Sequence, residues 1–168
     1  MKIGVVSDTH MPRRGAELPQ ALIKSFKTCD LILHLGDWTS LEVYEQLSRL
    51  ASVDGIAGNN DGAEIIRRFG YQKVLELGSR RIGLIHGHLP NVWKSAEQNA
   101  RMAFAGKPLD AVLFGHSHKP FIERQDGLLL FNPGSPTDKR REARYSFGLL
   151  ELGTDGIQAR HVFIDSKK

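Results

Sequence analysis

The sequence predicts an α/β fold, and three features of its 168 residues lead to that prediction. Short apolar runs rich in Val, Ile and Leu recur along the first two-thirds of the chain. Segments with apolar residues at helical spacing lie between several of these runs. The C-terminal third instead contains strand-like runs separated by Asp-Gly turns, which favours antiparallel pairing there.

The five early apolar runs are typical of strands that are buried on both faces of a sheet. They cover Ile3–Val6, Leu31–Leu35, Val53–Ala57, Ile82–Ile85 and Ala111–Phe114. Amphipathic spacing predicts helices over Leu18–Lys27, Leu41–Leu50 and Val92–Phe104. The predicted C-terminal strands cover Phe121–Arg124, Leu128–Phe131, Ser146–Leu152 and Ile157–Ile164.

Composition indicates an ordinary globular chain, since 40% of the residues are hydrophobic and 25% are charged. We find no repeat or linker, so residues 1–168 are predicted to form one domain. A single cysteine, Cys29, is interpreted as a buried structural thiol and implies a reducing compartment. The N-terminus turns polar at Ser7, and no apolar run approaches bilayer-spanning length, so a cytoplasmic, unprocessed protein without membrane contact is expected.

The net charge of +4 is modest and spread along the chain, so it gives little support for nucleic-acid binding. The only dense basic cluster lies late in the sequence. We interpret it as a solvated loop, and the alternative is that it attracts a phosphorylated substrate. It comprises Lys139, Arg140, Arg141 and Arg144.

Side chains that can bind a metal follow each of the five early apolar runs within a few residues. Because ligands gather at the carboxyl ends of strands in an open α/β sheet, these loops are expected to converge on one crevice. A mixed set of carboxylate, amide and imidazole ligands suits Mn, Fe, Zn, Co or Ni better than Ca or Mg. The predicted ligands are Asp8, His10, Asp37, Asn59, His86, His116 and His118.

Each of these residues taken alone also has a structural interpretation. Asp8 or Asp37 could cap a helix, Asn59 could occupy a turn, and a single histidine could simply be hydrogen-bonded. Clustering argues against packing alone, because five of the seven histidines fall in the motifs Asp-Thr-His, His-Gly-His and Gly-His-Ser-His. For the remaining two, His34 and His161, we prefer a structural role.

Seven ligands exceed the needs of a single ion, so two divalent ions are expected, with Asp37 as the bridging carboxylate. Manganese is the expected metal, and Ni, Zn, Fe, Co and Mg are the alternatives. Such a pair can activate a water or hydroxide for in-line attack on phosphorus, which makes a side-chain nucleophile unnecessary. In agreement, the sequence contains no Gly-x-Ser-x-Gly, Walker A, Gly-x-Gly-x-x-Gly, His-Glu-x-x-His or Cys-x-x-Cys motif.

The ordered motifs resemble those of the calcineurin-like metallophosphoesterases, and the match is most similar to the small bacterial and archaeal phosphodiesterases. The resemblance implies a four-layer α/β/β/α sandwich of two mixed sheets. It also implies one metal held by Asp8, His10, Asp37 and His118, and the other by Asp37, Asn59, His86 and His116. The motifs are Ser7-Asp8-Thr9-His10, Gly36-Asp37, Gly58-Asn59-Asn60-Asp61, His86-Gly87-His88, Gly115-His116-Ser117-His118 and Asn132-Pro133-Gly134-Ser135.

One position departs from the pattern of many relatives, which have a leaving-group histidine where this chain has Asn60. An amide donates a hydrogen bond but no proton, so the leaving group is expected to depart easily or to be protonated by His88 or water. The small phosphodiesterases of the resembled family share this departure, so the resemblance implies diesters rather than monoesters. Asn60 and His88 are therefore the candidate catalytic and substrate-binding residues, and plain hydrogen bonding in its loop is the alternative for His88.

Two other functions remain open from the sequence. The resembled family includes a retromer subunit that serves as a scaffold, but that relative lacks ligands at the positions matching Asp37 and Asn59. A nuclease would use the same chemistry on a polymer, yet the sequence offers no long basic track beyond the late cluster and Arg13-Arg14. A homodimer or homotetramer is compatible with the sequence, and the physiological substrate is not specified by it.

Overall fold

The computed structural model describes residues 1–167 as two five-stranded sheets with helices on their outer faces. The strands are β1 Lys2–Val6, β2 Leu31–Leu35, β3 Ser52–Ile56, β4 Gln72–Leu77, β5 Arg80–Ile85, β6 Ala111–Leu113, β7 Phe121–Gln125, β8 Leu128–Asn132, β9 Tyr145–Gly153 and β10 Gly156–Ile164. The helices are α1 Gln20–Phe26, α2 Leu41–Ser48, α3 Ala63–Phe69 and α4 Ala96–Ala103.

The first sheet has the strand order β10-β9-β1-β2-β3. Its β1, β2 and β3 are parallel, and they are joined by α1 and α2 as crossover helices. The chain returns to this sheet at its C-terminal end, where β9 pairs antiparallel with both β1 and β10. Parallel pairing places the carboxyl ends of β1, β2 and β3 at one edge of the sheet.

The second sheet has the order β4-β5-β6-β8-β7. Strands β5, β6 and β8 are parallel, while β4 and β7 run antiparallel at the two edges. The prediction of antiparallel pairing in the C-terminal third was therefore wrong for one pair, because β8 pairs parallel with β6. The connection through β7 reverses the chain before β8, so β8 runs in the direction of β6.

Three buried clusters define the layers of the fold. One lies between the first sheet and α1–α3 and includes Phe26, Trp38 and Phe147. A second lies between the two sheets, where Leu33 and Phe131 are completely buried. The third packs α4 against the second sheet. The four-layer α/β/β/α sandwich of two mixed sheets is thus confirmed.

All five early strands and all four late strands are confirmed, with ends that shift by one or two residues. The strand Ser52–Ile56 lies at the edge of the first sheet and is exposed at its start, so it is not buried on both faces as predicted. The predicted helix Val92–Phe104 begins later, at Ala96, because Ser95 and Gln98 form a capping box there. Helix α3 and strand β4 were not predicted.

None of the helices formed by residues 1–167 is long and apolar enough to cross a membrane. Cys29 is buried beside α1, and burial raises the pKa of its thiol, as suits a packing residue. His161 lies on β10, and Nε2 of its ring is 2.7 Å from the carbonyl oxygen of Asn132. A carbonyl only accepts, so Nε2 of His161 is the donor, and this agrees with a structural role.

Candidate metal centre

The predicted ligands lie in loops that leave the carboxyl ends of β1, β2, β3, β5 and β6. The main chain is strained there. Five of the seven predicted ligands have a positive φ, which non-glycine residues rarely adopt. Strain of this kind is maintained where the surrounding structure over-determines a functional conformation. The five are Asp8 (58°), His10 (47°), Asp37 (59°), His116 (68°) and His118 (60°).

Two carboxylates and three imidazoles converge at the centre of this edge. Asp8 Oδ1 lies 3.4 Å from Nε2 of His118, 3.8 Å from Nε2 of His86 and 3.9 Å from Nε2 of His10. Asp37 Oδ2 lies 3.5 Å from His10 Nε2 and 3.4 Å from His86 Nε2. Two triads therefore have the spacing to hold an ion: Asp8, His10 and His118, and Asp8, Asp37 and His86.

Hydrogen bonds on the far side of two imidazoles orient them toward the centre. Nδ1 of His86 is 2.7 Å from the carbonyl oxygen of Leu35, and Nδ1 of His118 contacts the carbonyl oxygen of Asp138. Since a carbonyl only accepts, each Nδ1 carries the proton and each Nε2 points into the centre. Metal-binding histidines in proteins are commonly held in this way.

The Asp8 carboxylate is held by one of its two oxygens. Its Oδ2 accepts hydrogen bonds from the Ser7 hydroxyl at 2.6 Å and from the His116 backbone N–H at 2.9 Å. Within residues 1–167, its Oδ1 is buried without a hydrogen-bond partner, as are Nε2 of His86 and Nδ1 of His88. Buried polar atoms are rarely left unsatisfied, so Asp8 Oδ1 and His86 Nε2 together fit a bound cation.

The electrostatics of the centre also favour a positive charge. Burial alone would lower the pKa of His86, but Asp8 and Asp37 outweigh it and raise that pKa to about 9. Burial alone would raise the pKa of Asp37, but His86 and the donors of Asn60 hold it well below its usual value. A positive charge between the two carboxylates, either imidazolium or a metal ion, is therefore stabilised.

Two other histidines of the centre, His10 and His116, stay neutral more readily than His86. Burial lowers the pKa of both His10 and His116, although the carboxylates partly oppose it. His116 lies beside His86, with 5.1 Å between ring centroids, and the positive charge of Arg140 lowers its pKa further. Neutral imidazoles are the form that binds metal.

The two candidate catalytic residues flank the centre on different sides. Asn60 donates its backbone N–H to Asp37 Oδ1 at 2.8 Å and its side-chain amide to Asp37 Oδ2 at 2.7 Å. The ring of His88 lies 5.4 Å from that of His86 and 6.1 Å from that of His116, centroid to centroid. Burial and the charge of these neighbours lower the pKa of His88 to about 4. Asn59, by contrast, is exposed on the rim.

Two aspartates that were not among the predicted site residues support the centre, Asp61 through its carboxylate and Asp138 through its backbone carbonyl. Asp61 is buried and accepts N–H bonds from Asp37 at 2.9 Å, Thr39 at 2.7 Å and Gly58 at 2.7 Å. Asp138 contributes its carbonyl oxygen to His118. Asp61 is the last residue of the motif Gly58-Asn59-Asn60-Asp61, and this position was the only indication in the sequence that it belongs to the site. Asp138 follows the Asn132–Ser135 segment and shows no motif of its own.

His34 has the structural role that we preferred for it. It is completely buried, and Nε2 lies 3.1 Å from the Thr9 hydroxyl, while Nδ1 accepts the Gly36 N–H at 3.2 Å. Its ring stacks on Trp38 with 3.8 Å between centroids. Burial lowers the pKa of His34 well below the usual value, so its ring is neutral. The ring contacts Thr9 in the loop after β1 and Gly36 in the loop after β2, and it thereby holds these two loops together.

Gly58 allows the Asp37 loop to pack closely, which leads to a first testable prediction. A Cβ at this position would collide with Asp37 Oδ1 and would lie 2.5 Å from Asp37 N. We expect Gly58→Ala to lower the free energy of unfolding by about 1–3 kcal/mol and to weaken metal binding by at least roughly tenfold. Thermal melting and metal titration measure the two effects.

Gly62→Ala is the matched control in the same loop. A Cβ there would have no neighbour within 4 Å among the described residues, so metal affinity should stay at the wild-type value. Equal metal affinity in the two variants would show that the close approach of residue 58 to Asp37 is unimportant.

The fold and this centre define a class of protein: a two-sheet α/β sandwich with a Asp- and His-rich metal site at the carboxyl ends of its strands. Residues 1–155 match the model of the calcineurin-like phosphoesterase superfamily domain. The chain belongs to this family, which binds divalent metals. The motif resemblance is thereby confirmed.

Relatives and solved structures agree with this assignment. The chain is 39% identical to a protein of Methanothermobacter thermautotrophicus named probable metallophosphoesterase, over 83% of this chain and 80% of that one. A solved archaeal phosphodiesterase is 26% identical and superimposes with a TM-score of 0.75, over 98% of this chain and 100% of that one. Vps29 of Entamoeba histolytica in complex with zinc is 26% identical, with a TM-score of 0.74 over 97% and 99% of the chains.

Proposed function

We propose that residues 1–168 act as a single phosphodiesterase domain with two divalent metal ions, manganese being the preferred metal. One observation carries the proposal: Asp37 Oδ2 lies almost equally far from His10 Nε2 and His86 Nε2, at 3.5 and 3.4 Å. A carboxylate placed between two imidazoles is suited to bridge two ions. The similarity to an archaeal phosphodiesterase supports the reaction class.

The proposed ligands divide into two sets that share Asp37. When bound, two such metal ions would activate water for attack on phosphorus and neutralise charge on the phosphoryl oxygens. Asp8 also lies within reach of both sets, because its Oδ1 is near Nε2 of His118 and Nε2 of His86. One set is Asp8, His10, Asp37 and His118, and the other is Asp37, Asn59, His86 and His116.

Water is the proposed nucleophile because the nearby hydroxyls are already engaged in hydrogen bonds. The Ser7 hydroxyl donates to Asp8 Oδ2, and the Thr39 hydroxyl donates to the Met11 carbonyl at 2.5 Å. The Thr9 hydroxyl is 3.1 Å from Nε2 of His34. Each hydroxyl would have to give up its partner, and reorient, before it could attack a substrate.

Asn60 and His88 are the proposed contacts for the leaving group and the phosphoryl oxygens. The Asn60 amide is fixed by Asp37 and can donate one further hydrogen bond from its second N–H. His88 is half-buried and close to two of the proposed ligands, so its ring can donate a hydrogen bond at the same edge. Asn60 has no ionisable proton, and the lowered pKa of His88, about 4, leaves its ring neutral near pH 7, so neither side chain is a ready proton donor for a leaving group.

The proposal predicts metal-dependent hydrolysis of bis-p-nitrophenyl phosphate. Protein from which metal has been removed with a chelator should be inactive. Adding Mn, Ni, Zn, Co or Mg should restore turnover, and Mn should give the highest rate. The monoester p-nitrophenyl phosphate should be a poorer substrate by at least roughly tenfold in kcat/KM, in line with the similarity to an archaeal phosphodiesterase. Both esters release p-nitrophenolate, so this comparison does not depend on a leaving-group acid. Folded, metal-loaded protein without turnover on either ester would contradict the proposal.

A second candidate function, a protein-binding scaffold, is favoured by one exposed surface. Trp93 is 91% exposed and Val92 is 71% exposed, in the loop that follows His88. Vps29 of Entamoeba histolytica has the same fold at 26% identity. The proposed ligand set, which keeps Asp37 and Asn59, favours catalysis, so the hydrolysis experiment also separates these two functions.

A further inference from the structure

A second cavity, of about 440 Å³, lies beside the metal centre and has no role in the function proposed so far. The two share a wall, because Asp138 lines the cavity and its carbonyl oxygen contacts Nδ1 of His118. The neighbouring Thr137 hydroxyl donates to the Thr9 carbonyl at 2.6 Å and fixes the same wall to the loop after β1. The lining residues are Arg14, Thr137, Asp138, Lys139, Arg140, Tyr145 and Lys167.

The lining is strongly cationic, since it contains four basic side chains and a single carboxylate. That carboxylate, Asp138, is 3.1 Å from Nε of Arg14 and so compensates one of the four charges. Within residues 1–167, no carboxylate lies within 4 Å of the charged groups of Lys139, Arg140 or Lys167. Among residues 1–167, three positive charges therefore line this open cavity without a carboxylate partner.

The ammonium groups are held in place by neutral groups. Lys139 Nζ donates to the Glu142 carbonyl at 2.9 Å, and Lys167 Nζ donates to the Arg14 carbonyl at 2.6 Å and the Thr137 carbonyl at 3.1 Å. Both also lie near the Tyr145 ring, at 5.7 and 5.8 Å from its centroid. These contacts position the charges and leave each ammonium with an unused N–H donor.

Arg140 lines the cavity and lies near enough to the metal centre for its charge to act on a ligand there. Its φ of 47° is in the left-handed region, which costs energy for a side chain of this size. Its charge acts on His116, one of the proposed metal ligands. Arg140 is exposed to solvent, and among the described residues it has no carboxylate partner, so its guanidinium is available to an anionic ligand.

We propose that this cavity binds a phosphate group of the substrate other than the one that is hydrolysed. The inference rests on the phosphodiesterase function proposed above and narrows it to phosphodiesters that carry an additional phosphate. A simple diester has one negative charge, which the metal centre would take, so the cavity would remain without an anion. A second phosphate accepts hydrogen bonds from a guanidinium and two ammonium groups at once.

The test compares two substrates that differ only in the extra phosphate. They are the 5′-p-nitrophenyl ester of thymidine 5′-monophosphate and the same ester with a 3′-phosphate. With manganese present, the 3′-phosphorylated ester should have a kcat/KM at least roughly tenfold higher, and added salt should reduce the preference. Arg140→Ala should lower the ratio of the two values toward one.

Arg141→Ala is the matched control. The substitution removes the same charge as Arg140→Ala, but Arg141 is an exposed residue that does not line the cavity. It should retain the wild-type ratio, and far-UV circular dichroism checks that both variants are folded. A ratio near one in the wild type, or an equal ratio in the two variants, would overturn the proposed subsite. Turnover of both esters without preference would do so while leaving the phosphodiesterase function intact.

Calorimetry separates failure of the subsite from failure of the catalytic function. In manganese buffer, thymidine 3′,5′-diphosphate should bind wild type and Arg141→Ala more tightly than thymidine 5′-monophosphate does, and Arg140→Ala should lose that difference. The difference is expected even if no ester is hydrolysed, because it does not require turnover. Equal binding of the two nucleotides to the wild type would refute the subsite.

Discussion

Asp37→Asn is expected to lower kcat/KM for bis-p-nitrophenyl phosphate by at least roughly a hundredfold and to remove most of the bound metal. The amide has the same shape as the carboxylate and keeps one oxygen, but it lacks the charge that attracts two cations. In the wild type, the Asn60 side-chain amide donates to Asp37 Oδ2 at 2.7 Å. With the amide nitrogen of the variant at that position, two donors would face each other and this hydrogen bond would be lost. Metal content by mass spectrometry and turnover measure the loss.

The matched control for this variant is Asp54→Asn in the same sheet. Asp54 lies on β3, where its carboxylate pairs with Nζ of Lys73 at 2.5 Å, and it is not one of the proposed ligands. Its substitution by Asn therefore removes one charge without changing a ligand. Both variants should remain folded at the assay temperature, and thermal melting checks this. Wild-type turnover or metal content in Asp37→Asn would refute the bridging role.

The strands could be predicted from the sequence because a buried strand has a run of apolar residues that needs no further context. Helix α3 has no comparable signal, since it is seven residues long and only Ile65 and Phe69 are buried on it. Strand β4 lies at a sheet edge and has a mixed pattern of polar and apolar residues. Helix α3 and strand β4 are thus defined by tertiary contacts rather than by a local pattern.

The start of α4 was wrong for a different reason. Val92 and Trp93 fit the apolar spacing of a helix, and they were therefore included in it, yet both are exposed. The Ser95–Gln98 capping box was present in the sequence and would have placed the start at Ala96. Here a local capping signal was more informative than hydrophobic periodicity.

The convergence of the predicted ligands followed from where each lies relative to a strand, because parallel strands place their carboxyl ends at one edge. The sequence could not indicate the groups that orient those ligands. Leu35 and Asp138 act on His86 and His118 through backbone carbonyls, which every residue type possesses. Asp61 likewise acts on backbone N–H groups, so its role appears only in three dimensions.

Asp61→Ala is expected to have the largest effect on stability. Its carboxylate accepts three N–H bonds from the loops that carry Asp37 and Gly58, and it is 9% exposed. Each buried donor left without a partner costs about 1–3 kcal/mol, so the free energy of unfolding should fall by roughly 3–5 kcal/mol. Since the same bonds position Asp37, metal affinity should fall by about 10–100-fold. Denaturant unfolding and metal titration measure the two quantities.

Two further variants distinguish positioning of the metal site from stability alone. Asp61→Asn keeps one acceptor oxygen, so its losses should lie between those of the wild type and Asp61→Ala. Asp110→Ala removes a carboxylate that accepts the Arg81 N–H at 2.7 Å, before β6 and at the opposite edge from the metal centre. It should lose stability and keep its metal affinity. If Asp61→Ala behaved in the same way, Asp61 would stabilise the fold without positioning Asp37, because a loosened loop around a metal ligand must weaken metal binding.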